Sequence, residues 1–379
     1  MSSNTRLAKF VCKRLLRPNW YKDRDDHEYG DPTGLTWSRP NDILNIRLDV
    51  VKRNAPKTMN EQGDVVLRGV VRITTDSEPV TDADEEVFII YSDLQANSKS
   101  DTDPFRGLGH VDSRKDTMTI SFELTAPNHL SDAKISGSQH TRKSHKLTKV
   151  MDKTKTVQIE LFQDKTALRS RRGDTGSVLW KASIDFARLI LQQLHAQVPD
   201  SLLKASILKS AHVLELGAGT GLLAAAFAPL VGHYTVTDIG DLQPLLRKNI
   251  AANFTGWPDR CVPPALGSNV SVEELDWVTL SNTAPVQRGK LVSDRPVDLV
   301  LAVDCIYHPL LLPPLLETIN YLAIPERTAV LVVVELRAED VIREFLALWL
   351  SHSGWEIWRV GGSLLHKPYV MWLGWRIAP

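Results

Sequence analysis

The chain has 379 residues, of which 43% are hydrophobic and 24% are charged, so it can form one large or two medium-sized domains with buried cores. Its 45 basic and 45 acidic residues cancel, which excludes a long-range field that would draw the protein onto nucleic acid or an anionic membrane. The 3 cysteines stand far apart without a metal-ligand spacing, and no apolar run approaches the roughly 18 residues of a membrane helix. We therefore expect a protein of a reducing compartment, the cytoplasm or the nucleus, without a membrane span or a metal site.

Residues 1–40 are predicted to be a basic N-terminal segment followed by a linker. The first part carries several lysines and arginines and no acid, a pattern shared by organelle presequences and basic amphipathic helices. Between residues 20 and 40 the composition changes to acidic residues, glycine and proline, as in a linker or a surface loop.

Residues 41–162 are predicted to be a β-rich N-terminal region with long polar loops. Short apolar runs, several of them alternating with polar residues, predict strands at 44–51, 65–73, 87–91, 118–122 and 156–162. The polar segments 95–116 and 129–149 are too long for compact connections. The second segment is basic from His140 to Lys149, which suits contact with RNA or an acidic protein surface, or a solvated loop. No aromatic residues are interleaved as stacking platforms for bases, which favours the solvated loop. Contact with RNA is therefore possible but not required.

The remaining residues, 163–379, form the predicted catalytic domain. Apolar strand patterns alternate with helical patterns from a helix after Trp180 to a hairpin-like pair at 355–360 and 369–377, which predicts a doubly wound α/β sheet. Trp180 stands at the first turn of its helix, where it either packs in the core or closes over a ligand; spacing alone favours core packing.

A glycine-rich turn between a strand and a helix predicts the ligand site. Glu215 precedes glycines at alternate positions, of which Gly219 lies 19 residues before Asp238, an acid at the end of the next strand. Glycine lets the backbone approach a ligand, and an acid at about this distance is expected to bind a ribose. A dinucleotide fingerprint would place a small third residue at Leu222, and Glu215 would repel a pyrophosphate. An acid there suits the amino group and sulfonium of S-adenosylmethionine, which is therefore the predicted cofactor.

Two later strands also end in side chains that could contact ligands. The strand pattern at 270–275 is followed by Asp276 and Trp277, which could meet the amine and the face of an adenine, although such a pair is unremarkable elsewhere. The buried strand pattern at 297–303 leads to Asp304 and Tyr307, at the sheet edge where open α/β sheets carry their chemistry.

Together these blocks resemble the seven-β-strand, class I methyltransferases, and within them the family-16 protein-lysine methyltransferases. The blocks are 176–180, 215–221 with Asp238, 275–277 and 302–307, and the likeness runs from about residue 156 to the C-terminus. The resemblance implies a mostly parallel, seven-stranded Rossmann-like sheet. It also implies that the residues lining the S-adenosylmethionine pocket are Trp180, Gly217, Ala218, Gly219, Asp238, Trp277 and Val303. The family usually has alanine where this chain has Val303, and a contact through the backbone of this residue can persist with either side chain.

The resemblance further implies an enzyme that methylates the side-chain amine of a lysine in a protein. Asp304 and Tyr307 would border the lysine channel as the catalytic pair, with Asp304 positioning the amine and Tyr307 forming an aromatic wall. Size and the N-terminal extension place the chain nearest to members that act on large-subunit ribosomal proteins, and we expect a monomer. The alternatives are lysine methylation of another nuclear or cytoplasmic protein, such as a chaperone or translation factor, and methylation of a small molecule. A third alternative is a protein without enzymatic activity that keeps the fold.

Overall fold

The computed structural model describes residues 67–98, 109–126, 153–164, 166, 175–260, 263, 265–365 and 368–378. All of them belong to one unit that spans Pro56–Pro379. The basic N-terminal segment, the strand predicted at 44–51 and the basic stretch from His140 to Lys149 lie outside the described residues.

The strands and helices are numbered in chain order. The strands are β1 (Leu67–Arg68), β2 (Val71–Arg72), β3 (Glu78–Pro79), β4 (Thr117–Ala126), β5 (Lys153–Phe162), β6 (His212–Leu216), β7 (His233–Asp238), β8 (Val270–Glu274), β9 (Leu299–Val303), β10 (Ala329–Glu335), β11 (Trp355–Arg359) and β12 (Tyr369–Arg376). The helices are α1 (Ala83–Ser98), α2 (Lys181–His195), α3 (Ala205–Leu208), α4 (Leu222–Phe227), α5 (Gln243–Asn253), α6 (Trp277–Asn282), α7 (Leu312–Leu322) and α8 (Glu339–Ser351).

The central sheet has 8 strands in the order β3-β11-β12-β10-β9-β6-β7-β8. Strands β8, β7, β6, β9 and β10 are parallel, whereas β12 runs antiparallel between β10 and β11. The predicted doubly wound, mostly parallel sheet is thereby confirmed, including its antiparallel final pair. The N-terminal region adds one strand to the predicted seven, because β3 pairs with the edge of β11.

Strand β10 shows why this sheet is covered on both faces. Every residue of β10 is buried, as the continuous apolar run of a central parallel strand requires. Leu331 packs in the core beneath α2, α4 and α5, and its neighbour Val332 packs in the core beneath α7 and α8. Side chains that alternate between two apolar layers fix the position of the strand, because a shift by one residue would exchange the faces.

The N-terminal region is partly helical, which corrects the strand predicted at 87–91. That run lies in α1, where Val87 and Ile90 are buried and Phe88 is 65% exposed. Trp372 Nε1 donates to Glu86 Oε1 at 2.8 Å and Arg359 Nη1 donates to Glu86 Oε2 at 2.9 Å, so this face of α1 is fixed to the sheet. A short apolar run fits a buried strand or one turn of a buried helix equally well, and here distant contacts select the helix.

Three of the other strands predicted in the N-terminal region fall on described residues and are present. The predictions at 118–122 and 156–162 are confirmed by β4 and β5, a long antiparallel pair. The prediction at 65–73 corresponds to two short strands, β1 and β2, which pair across a turn at Gly69. In the part of the chain that the structure describes, no helix is long and apolar enough to cross a membrane.

Candidate active site

A cavity of about 350 Å³ opens at the carboxyl ends of β6, β7 and β9. It lies where open α/β sheets bind their ligands. All but one of the predicted site residues line it, namely Trp180, Gly217, Ala218, Gly219, Asp238, Asp276, Trp277, Val303, Asp304 and Tyr307. The exception is Glu215. The fold therefore brings strand ends that are far apart in sequence to one place.

The glycine-rich turn is closed by the loop that precedes α2. Gly219 has φ of +56°, and its N–H donates to Asp238 Oδ2 at 2.8 Å. A β-carbon on Gly219 would lie 2.9 Å from the carbonyl oxygen of Gly176. Glycine is thus required at 219 by the protein's own backbone as well as by any ligand, and a larger residue there would disturb the fold.

Asp238 is held in place at the end of β7. It is 8% exposed, Oδ2 accepts from Gly219, and Oδ1 accepts from the N–H of Ile239 at 2.8 Å. Two backbone donors orient its carboxylate beside the cavity. Contact with a ribose stays a prediction for this residue.

Glu215 differs from the expectation that it faces the ligand. It is 3% exposed and does not line the cavity, and Tyr234 of the neighbouring strand donates its hydroxyl to Glu215 Oε2 at 2.8 Å. Burial raises the pKa of Glu215 to about 8, and the pKa of Tyr234 also lies well above its ordinary value. Burial therefore favours the uncharged form of this carboxyl group, which does not line the cavity.

Replacing Glu215 with glutamine is expected to flatten the dependence of stability on pH. In the folded chain Glu215 has a pKa of about 8, whereas in the unfolded chain it has the ordinary value of 4.5. Between these two pH values the folded chain holds a proton on Glu215 that the unfolded chain has released. The stability that Glu215 contributes is complete below the unfolded pKa and is lost as the pH rises through the folded one, by up to about 1.4 kcal/mol per pH unit. Urea unfolding between about pH 5 and about pH 8 should show Glu215→Gln gaining stability relative to wild type as the pH rises. The exposed Glu344→Gln should follow the wild-type curve, and a constant difference for Glu215→Gln would refute the raised pKa.

Two tryptophans line the cavity. Trp180 Nε1 donates to the carbonyl of Thr175 at 2.8 Å, which fixes the indole at the start of α2. Trp277 Nε1 is buried and has no hydrogen-bond partner among the described residues. This nitrogen is enclosed by protein, so it is the indole ring of Trp277 that lines the cavity.

Asp276 has a structural task at the start of α6. Its Oδ1 accepts from the N–H of Val278 at 3.0 Å and its Oδ2 accepts from the hydroxyl of Thr279 at 2.6 Å. It is the N-cap of this short helix, which presents Trp277 to the cavity. A contact between Asp276 and an adenine stays a prediction.

Asp304 is bound by Arg337, a residue for which the sequence predicted no role. Its backbone has φ of +61°, a left-handed conformation that is rare outside glycine. Arg337 donates through Nη1 to Oδ1 at 2.9 Å and through Nη2 to Oδ2 at 2.6 Å. Arg337 also pairs with Glu335 Oε2 at 2.6 Å, and its guanidinium lies 4.9 Å from the ring centre of Trp180. The sequence did contain a clue to this contact. Arg337 closely follows Glu335, the last residue of β10, and β10 is a neighbour of β9 in the sheet.

Tyr307 and Cys305 follow Asp304 and differ in exposure. Tyr307 is 37% exposed and lines the cavity where it opens to solvent. Cys305 also lines the cavity but is buried, and its thiol donates to the carbonyl of Leu216 at 3.2 Å. Burial raises the pKa of this thiol well above its ordinary value, so it is not a nucleophile at neutral pH. Among the described residues, no group of three or more His, Cys, Asp or Glu side chains could hold a metal ion.

The strand order and the glycine-rich turn at the cavity define a class I methyltransferase fold. The family described as lysine methyltransferase matches residues 162–350. Ribosomal lysine N-methyltransferase 5 from Zygosaccharomyces rouxii is 30% identical over 224 residues, which are 52% of this chain and 70% of that protein. The chain belongs to the lysine methyltransferase family, and the resemblance seen in the sequence is confirmed.

Other relatives align over smaller parts of their length. Ribosomal lysine N-methyltransferase 5 from Eremothecium gossypii is 32% identical over 35% of this chain and 47% of its own length. A Schizosaccharomyces pombe protein named diaminohydroxyphosphoribosylamino-pyrimidine deaminase is 32% identical over 50% of this chain and 41% of its own length. The chain thus spans less than half of these two proteins.

The similar solved structures include two methyltransferases of low sequence identity. The CurJ carbon methyltransferase is 15% identical, with a TM-score of 0.33 over 50% of this chain and 54% of that chain. The glycopeptide N-methyltransferase MtfA complexed with sinefungin is 15% identical, with a TM-score of 0.31 over 45% of this chain and 87% of that chain.

Proposed function

We propose that this protein transfers the methyl group of S-adenosylmethionine to the side-chain amine of a lysine in a protein, in the cytoplasm or the nucleus. The observation that carries the proposal is the single cavity shared by the glycine-rich turn, Asp238 and the Asp304–Tyr307 segment. Cofactor and acceptor residues predicted from separate motifs meet there. Membership of the lysine methyltransferase family supports a lysine side chain as the methyl acceptor.

The residues around the cavity suit S-adenosylmethionine. A volume of about 350 Å³ is within the range of small-ligand sites. The carboxylate of Asp238 can accept from ribose hydroxyls, and the indole ring of Trp277 offers an aromatic face to the ligand. When bound, the cofactor supplies a methyl group that its sulfonium has already activated. The protein then has to align an amine with that methyl group and exclude water.

The acceptor amine must lose its proton before it can attack. An ordinary lysine has a pKa of about 10.4, so neutrality near pH 7 requires a shift of about 3 units, or about 4 kcal/mol. An apolar channel and a nearby positive charge both lower the pKa of the amine. Both carboxylate oxygens of Asp304 already accept hydrogen bonds from Arg337, so Asp304 positions the amine and does not act as a strong base. Tyr307, beside it at the opening, is placed to form the wall of the channel.

A lysine of a large-subunit ribosomal protein is the proposed substrate. The relatives from Zygosaccharomyces rouxii and Eremothecium gossypii are both named ribosomal lysine N-methyltransferase 5, which supports a ribosomal substrate. The opening beside the exposed Tyr307 and Leu310 suits a macromolecule that presents a lysine on a loop or an extended segment. Balanced charge argues against capture of naked RNA. A translation factor is the second candidate, because a relative from Xenopus tropicalis named EEF1A lysine methyltransferase 3 is 30% identical over 36% of this chain.

Cells that lack this protein should contain a large-subunit ribosomal protein lighter by one or more methyl groups. We expect intact-mass spectrometry of ribosomal proteins from cells with and without the enzyme to show this difference, and fragmentation to place it on a lysine. Restoring the wild-type gene should restore the mass, whereas an Asp238→Ala gene should not. If every large-subunit protein keeps its mass, the ribosomal substrate is wrong and the translation factors of the same cells should be compared next.

A further inference from the structure

We propose that Arg337 is a positioning residue for methyl transfer that orients Asp304 and compensates its charge, and that the N-terminal region locks Arg337 in place through Gly109. This inference rests on the proposed lysine methylation. It gives the N-terminal region a direct task at the reaction site.

The pairing of Arg337 with Asp304 is rigid and largely shielded from water. Two parallel hydrogen bonds of 2.9 Å and 2.6 Å join the guanidinium to both carboxylate oxygens, and Oδ1 also lies 3.4 Å from the N–H of Glu335. The Asp304 side chain is 5% exposed and that of Arg337 is 27% exposed. This two-pronged pairing, called the fork below, fixes the orientation of the Asp304 carboxylate as well as its distance from Arg337. A lysine in place of Arg337 could not do this, because its ammonium group does not form two parallel hydrogen bonds in a fixed plane.

Gly109 lies directly against this fork. Its carbonyl accepts from the N–H of Lys181 at 2.8 Å, and the N–H of Val111 donates to the carbonyl of Leu179 at 3.0 Å, so this segment pairs with the backbone on both sides of Trp180. A β-carbon on Gly109 would run into Arg337 Nη2 and lie 2.6 Å from Glu335 Oε2. Gly109 also has φ of +86°. Only glycine therefore fits here with Arg337 in place.

The charge of the fork bears on the proton of the acceptor amine. With Arg337 present, Asp304 and Glu335 share one compensating positive charge. Without it, two uncompensated carboxylates would face an incoming lysine and favour its protonated form. Other titratable groups around the fork are Tyr369 of β12, Asp185 of α2, and His110, whose ring lies edge-on to Trp180.

Two variants of Arg337 separate its charge from its geometry. The rate should rise with pH as the acceptor lysine loses its proton, and this part of the pH profile is the rising limb. Arg337→Gln removes the positive charge and so favours the protonated lysine, which should move the rising limb up by about one pH unit. Arg337→Lys keeps the charge but loses the fork, so the limb should stay in place while the rate falls by about 10-fold to 100-fold at every pH. A residue that only stabilised the fold would lower the rate without moving the limb in either variant.

Gly109→Ala tests the contribution of the N-terminal region, with Gly354→Ala as its matched control. Both glycines have a positive φ, +86° and +81°, so both variants carry the same kind of backbone strain. At Gly354 the added carbon would meet only the carbonyl of Ile377, at 3.7 Å. Both variants should lose thermal stability, but only Gly109→Ala should slow transfer, by about 10-fold or more.

The assay uses the full chain, radiolabelled S-adenosylmethionine and a protein extract from cells that lack the enzyme, and it follows the initial rate on the labelled acceptor. Melting temperature and cofactor affinity are measured for every variant. If the wild type labels an acceptor but Arg337→Gln leaves the limb unmoved, or Gly354→Ala slows transfer as much as Gly109→Ala, the positioning role is wrong and the proposed function stands. If the wild type labels no protein at any pH, the proposed function is wrong and this inference falls with it.

Discussion

Replacing Asp304 with alanine is expected to lower the rate of methyl transfer by at least about 10-fold, while the affinity for S-adenosylmethionine changes by less than about 1 kcal/mol. Asp304 directly follows β9 and lines the cavity together with the exposed Tyr307, which borders the proposed acceptor channel. Its loss should therefore affect alignment of the amine more than cofactor binding. Steady-state rates and calorimetric titration of the same protein sample provide the two readouts.

Trp277→Ala should show the opposite result, because its indole ring lines the predicted cofactor pocket. Asp294→Ala, at an exposed position, should leave both quantities at the wild-type values. Equal losses of cofactor affinity in Asp304→Ala and Trp277→Ala would mean that Asp304 supports the fold of the pocket and does not serve the acceptor channel.

Replacing Asp238 with alanine is expected to weaken S-adenosylmethionine binding by about 1 to 3 kcal/mol, which is about 5-fold to 150-fold. The variant loses the predicted acceptor for the ribose hydroxyls, and it also leaves the N–H of Gly219 without its 2.8 Å partner. Asp238→Asn retains an oxygen that can accept from Gly219, so it should bind the cofactor better than Asp238→Ala.

Calorimetric titration of these two variants, with the exposed Asp259→Ala as the control, checks this expectation. An affinity for Asp238→Ala equal to that of the wild type would show that the cofactor pocket is placed wrongly.

The features that the sequence predicted well are those encoded by neighbouring residues. A continuous apolar run such as β9 can only be a buried strand or helix, and its length and β-branched composition select the strand. The glycines before α4 mark a tight turn at the end of a strand. Because the carboxyl ends of parallel strands meet at one edge, the strand-end residues Asp238 and Asp304 could be placed together before any coordinates were known.

The features that the sequence did not predict depend on pairing between distant segments. Glu215 points towards Tyr234 because of the register between β6 and β7, which no local pattern reveals. Arg337 reaches Asp304 because β10 pairs with β9, so that Val333 lies beside Val303. Gly109 comes from a polar stretch without periodicity, and its position against Arg337 follows only from the folded chain.

The most direct test of the central claim is to incubate the full-length protein with radiolabelled S-adenosylmethionine and an extract of cells that lack it, and then to hydrolyse the labelled protein fraction to amino acids. We expect the label to enter protein and to be recovered as methylated lysine, and we expect Asp238→Ala to abolish most of it. Recovery of the label only in extractable small molecules, or on an amino acid other than lysine, would contradict the proposal that this protein is a protein-lysine methyltransferase.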